Sequence, residues 1–155
     1  MSDDSSFEDY TPEPVLTGKD IFSVTREKLS WDHAGTCADI YDSLYIIFSI
    51  KNISDKTVDA VDMSAEISDE FGDSLKTVNM QSSATISPNK SIRVGSTGSH
   101  CYKLNNYESG DNVILNWSAG DQGTLTLNLD RIKFDDGSIE DYYGEEIYTE
   151  SFTVN

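Results

Sequence analysis

Basic residues are scarce: 11 Lys and Arg stand against 28 Asp and Glu, for a formal charge of −17. A protein that grips nucleic acid through its phosphates needs a basic footprint, and none is present. Anionic membrane surfaces are disfavoured for the same reason. Long apolar runs are also missing. The longest, Leu44 to Phe48, stops at Ser49, well short of the roughly 20 apolar residues of a membrane helix, so no membrane insertion is expected of this chain. Met1-Ser2-Asp3-Asp4-Ser5-Ser6 is polar and acidic, and shows neither the n-region nor the h-region of a signal peptide. Histidine is limited to His33 and His100, each in a polar stretch. No nucleophile-elbow spacing singles out a serine beside either one, so the chain reads as a non-enzyme. Zinc ligation by His33, Cys37, His100 and Cys101 lacks a CxxC or HxxxH spacing. The only cysteines, Cys37 and Cys101, permit one disulfide without requiring it.

What is present points to β structure. Apolar residues make up 37% and aromatics 10%, with eight Tyr and six Phe. Aromatic and β-branched side chains pack well on a pleated surface. The length of 155 residues suits one domain. The acidity is uneven: residues 1–20 hold six acids and one base, and residues 135–155 hold seven acids and no base. Two of the three prolines, Pro12 and Pro14, also fall in the opening. Residues 1–18 therefore read as a disordered acidic leader, and 19–155 as a single domain.

Leu44–Ile53 is the clearest strand. Leu44, Ile46, Phe48 and Ile50 share one face, and Tyr45 and Ile47 make the other face apolar at the start, so a central strand covered on both sides there is expected. Ile21, Phe22, Val24, Leu29 and Trp31 suggest a strand before it, and Asn52 to Thr57 a turn after it. Val58–Ser68 alternates cleanly, with Val61, Met63, Ala65 and Ile67 facing in. Further strands are expected at Leu75–Met80, Ile92–Gly95, Val113–Trp117, Thr124–Phe134 and Ile139–Tyr143, with an edge strand in Gly144–Asn155. In Thr124–Phe134 the apolar positions switch from odd (Leu125, Leu127, Leu129) to even (Ile132, Phe134), which predicts a β-bulge near Asp130-Arg131. Asp135-Asp136-Gly137-Ser138 predicts a tight hairpin turn. Short strands with regular turns and no sustained helical period point to an all-β, immunoglobulin-like antiparallel sandwich.

The stretch Leu44-Tyr45-Ile46-Ile47-Phe48-Ser49-Ile50-Lys51-Asn52-Ile53-Ser54-Asp55-Lys56-Thr57 resembles the opening of FxLYD-type and related small bacterial immunoglobulin-like domains. Phe71-Gly72-Asp73, Pro88-Asn89-Lys90-Ser91 and the hairpin through Asp136-Gly137 continue the likeness over roughly residues 42–140. The resemblance implies an accessory binding or spacer module of an exported protein or lipoprotein, at the cell surface or outside the cell. It supplies no catalytic residues.

Two groups of residues are candidate sites. Asp135, Asp136, Glu140 and Asp141 supply hard oxygen ligands of the kind calcium takes, although Asp also favours turns for conformational reasons and no other cofactor is indicated. Tyr142, Tyr143, Glu145 and Glu146 interleave aromatics with acids, a surface suited to a basic protein partner. That second group also supports a rival reading: an intracellular, cytoplasmic acidic inhibitor that mimics nucleic acid and occupies a basic nuclease. In either reading the partner is a protein, and the chain has no direct contact with nucleic acid.

Overall fold

A computed structural model describes residues 16–33, 42–97 and 100–155. Two antiparallel sheets face each other, an all-β sandwich as the strand pattern predicts. The strands are β1 (Phe22–Asp32), β2 (Asp42–Asn52), β3 (Val58–Asp69), β4 (Ser74–Ser82), β5 (Ser91–Gly95), β6 (Tyr102–Leu104), β7 (Gln122–Phe134) and β8 (Ile139–Thr153). One sheet runs β1-β2-β5, with β6 also paired to β2; the other runs β4-β3-β7-β8. Two short helices, α1 (Gly18–Ile21) and α2 (Ser109–Leu115), flank them.

The period of two decides which side chains meet. Leu44, Ile46, Phe48 and Ile50 of β2 are at most 1% exposed, and they face Met63, Ala65 and Ile67 of β3 and Leu125, Leu127 and Leu129 of β7. Each such Leu, Ile or Phe contributes about 1.5–3 kcal/mol by leaving water. Phe48 meets Tyr148 edge-on at 5.5 Å, which joins β2 to β8 across the layers. The second face of β2 is only half covered: Tyr45 and Ile47 are partly exposed, and the Lys28 ammonium sits 4.7 Å above the Tyr45 ring. β2 is thus central within its sheet but fully buried on one side alone.

The bulge falls where the switch in apolar parity puts it. β7 pairs with β3 and β8 on both sides of Asp130, and both ladders slip there. The extra residue returns Ile132 and Phe134 to the inner face. Gly137 closes the β7–β8 hairpin with φ +88, a left-handed conformation that costs glycine little. The return strand does not stop at Tyr143. It continues to Thr153, so the tail is one strand with Ile139–Tyr143 and not an additional edge strand.

Two further points need correction. Val113–Trp117 is not a strand: Ser109–Leu115 is helical, and Asp111, Ile114 and Leu115 are its buried positions. That spacing of three and four is helical, but a run of three apolar residues reads equally well as a strand. Tyr102–Leu104, where no strand is expected, pairs with Asp42–Leu44 as β6. Gly18 is buried, and at the start of α1 the Asp20 side chain accepts the Thr17 N–H at 2.8 Å. The rest of the leader, residues 1–15, lies outside the described residues.

Asn52 joins the two sheets. It is fully buried at the end of β2. Its Nδ2 donates to the carbonyls of Lys56 (2.7 Å) and Ile86 (2.9 Å), and its Oδ1 accepts from the Ser54 N–H (3.0 Å) and hydroxyl (2.7 Å). Its backbone pairs with Asn89 and Lys90. This side chain therefore pins the segment along which the chain leaves β4 of one sheet for β5 of the other.

Candidate functional site

The acids proposed for calcium cluster around the β7–β8 hairpin. Asp135, Asp136, Glu140 and Asp141 are all exposed. Asp136 is engaged locally: its Oδ1 accepts from the Ser138 hydroxyl (2.6 Å) and N–H (2.8 Å), which hold its carboxyl below the ordinary Asp value. Glu140 Oε2 accepts from the Tyr142 hydroxyl at 3.2 Å. Among the described residues, no three His, Cys, Asp or Glu side chains come together as a metal-holding group.

The residues proposed for protein binding split into two pairs. β8 bulges at Tyr143 and Gly144, opposite Asp130. Tyr142 packs against the core, and burial pushes its phenol well above the ordinary value. Glu145 Oε2 accepts the Gly18 N–H at 2.6 Å and so anchors α1 to the sheet. Tyr143 and Glu146 face solvent. Tyr143 is 89% exposed with φ +54, a conformation that bulky residues avoid. β8 is an edge strand, and charged side chains there also discourage pairing with a second copy.

The edges of the two sheets are closed by side chains on both flanks. On the β1–β8 flank, Arg26 binds Glu150 through two nitrogens at 2.5 and 3.2 Å, and Trp31, Trp117 and Phe152 meet with ring centroids 5.6–6.5 Å apart. A shallow groove of about 320 Å³ runs along this flank beside Trp31 and Phe152. On the other flank Tyr102 of β6 donates its hydroxyl to the Asn79 carbonyl of β4 at 3.2 Å. Burial raises the Tyr102 phenol to about 12. The folded state disfavours the phenolate, so this stabilising contribution is complete below the ordinary tyrosine value near 10 and is lost as pH rises through about 12. In an alkaline NMR titration of the ring carbons, Tyr102 should ionise near 12, about two units above the ordinary tyrosine value. Ionisation near 10 would mean that Tyr102 is not held under β4.

The sequence left the disulfide open, and two further features escaped it. Cys101 is 9% exposed and disulfide-bonded, so its sulfur is not a thiolate ligand for zinc; Cys37 lies outside the described residues. Asp111, only 1% exposed, accepts from Lys76 Nζ (3.0 Å) and from the Asn105 N–H (2.7 Å). Phe71 and Tyr107 are 83% and 98% exposed. Phe71 lies in the turn between β3 and β4 and Tyr107 in the loop before α2, so both fall outside the strands.

No protein-family model and no curated protein matches the chain. Among solved structures, the chain is similar to a protein of Bordetella pertussis designated ApaA, at 8% identity and a TM-score of 0.47, covering 86% of this chain and 93% of that one. It is also similar to a structural-genomics target designated SoR45, at 12% identity and a TM-score of 0.46, covering 90% of each chain.

Proposed function

We propose that this chain is a non-enzymatic, immunoglobulin-like module of an exported bacterial protein, working at the cell surface or outside the cell in binding a partner protein or spacing its neighbours. The observation that carries this reading is the disulfide at Cys101. Such bonds persist in oxidising compartments and are rare where thioredoxin and glutathione keep thiols reduced. The FxLYD-like run from Leu44 to Thr57 supports the same reading, and so does an acidic surface that keeps the module soluble and apart from anionic membranes.

Thiol trapping in the native host tests it. Alkylation of intact cells should leave Cys37 and Cys101 unlabelled until a reductant is added, with the protein outside the cytoplasm. Immediate labelling of both cysteines in a cytoplasmic fraction would overturn the reading in favour of the intracellular acidic inhibitor.

A further inference from the structure

We propose that the end of the sandwich formed by the β3–β4 turn and the loop before α2 docks an arginine-bearing, cationic protein segment. The inference deepens the binding role proposed above and rests on it. Phe71 stands 83% exposed in the β3–β4 turn, and Tyr107 98% exposed two residues ahead of α2. The segments that carry them touch. A Cβ at Gly110 would lie 1.9 Å from the Leu75 carbonyl oxygen, so only glycine allows this approach, and Lys76 meets Asp111 one position further along each segment. Phe71 lies four residues from Leu75, and Tyr107 three from Gly110. One exposed aromatic is ordinary; two on abutting segments mark the same end of the sandwich.

Both carriers are held in place before any partner arrives. Asp69 Oδ1 accepts the N–H groups of Phe71 and Asp73, each at 2.9 Å. Asn105 Oδ1 accepts the Tyr107 N–H at 3.0 Å, Asn112 Nδ2 donates to Asn106 Oδ1 at 2.7 Å, and the buried Asp111 holds Asn105 from beneath. Rigid aromatic anchors lose little freedom on binding, which is why they dominate interface energetics.

Charge selects the occupant. Residues 69–75 and 105–111 contain Asp69, Glu70, Asp73, Glu108 and Asp111 and no base. Asp69 and Asp111 are occupied by the hydrogen bonds above, which leaves Glu70, Asp73 and Glu108 exposed on the two segments that carry the rings. A guanidinium can stack on a Tyr or Phe face while its edge pairs with a carboxylate. An anionic segment would be repelled, and a purely apolar one would leave three carboxylates facing it.

The test titrates the isotope-labelled full chain with the peptide acetyl-Gly-Arg-Gly-Arg-Gly-amide and with its citrulline counterpart, which keeps the planar group and loses the charge. Amide shifts should concentrate at 70–73 and 106–109, should be absent with citrulline, and should need about fivefold more peptide in Tyr107→Ala. Tyr107→Phe should bind as the parent does, and both variants should melt with the parent because the side chain faces solvent. Shifts centred on the β8 acids, shifts spread evenly over all acids, or none at millimolar peptide would each overturn the proposal. Such a failure alongside reductant-dependent labelling of the cysteines removes the docking end and leaves the exported module standing. Localised shifts in a protein with free cytoplasmic thiols would do the reverse.

Discussion

Asn52→Ala should lower the unfolding free energy by about 3 kcal/mol, read as a drop in the urea midpoint at unchanged slope. The side chain is fully buried and uses both ends: two donors satisfy the Lys56 and Ile86 carbonyls, and one acceptor serves the Ser54 N–H and hydroxyl. Truncation strips the Asn52 partner from each of these groups. A buried polar group left without a partner costs about 1–3 kcal/mol, and the Ile86 end is the more deeply buried. Asn52→Asp should be at least as damaging although it has the same shape, because it replaces two donors with lone pairs aimed at two carbonyls. A loss below about 1 kcal/mol for both variants would show that water satisfies these groups and that Asn52 does not pin the sheet-to-sheet crossover.

The same residue shows how far the sequence could be read. Asn52-Ile53-Ser54-Asp55 was recognisable as a turn because Asn, Ser and Asp side chains bond to nearby backbone. Its partner Ile86 lies 34 residues away, and no local pattern signals a contact of that range. β2, β3 and β7 were legible because each has a buried inner face along most of its length, and the bulge at Asp130 because it breaks the parity of that face. α2 was misread because its three successive apolar residues fit two periods equally. β6 was missed because three residues held mainly by pairing with β2 leave almost no period to detect.

The candidate sites were less legible still. Tyr142 and Tyr143 are neighbours of the same type, yet the bulge turns one onto the core and leaves the other 89% exposed. Glu145 looked like a surface acid and instead holds the Gly18 N–H. In both cases the side chain's direction depends on a register slip in β8, and the sequence located the slip only on β7.

Reduction should cost about 4 kcal/mol and lower the melting temperature by on the order of 10 °C, without unfolding the protein at room temperature. Cys37 and Cys101 stand 64 residues apart in the sequence. On the chain-entropy account, a bridge closing a loop of that length restricts the unfolded ensemble by about 4 kcal/mol, more than most single side chains contribute to the folded state. The domain should nevertheless survive reduction. A chain of this size buries about two-thirds of its unfolded surface and has a sandwich core independent of the bridge. Cys101 sits immediately before β6, and β6 pairs with the start of β2, so the restraint acts where the ladder is shortest. Reduction should therefore raise amide exchange first at Tyr102–Leu104 and Asp42–Leu44, before the β3–β7 ladder responds. A melting temperature unchanged by reductant, matched by an unchanged Cys101→Ala variant, would mean that the bond closes no loop in the folded monomer, and mass spectrometry of the unreduced protein would then show Cys101 joined to another molecule.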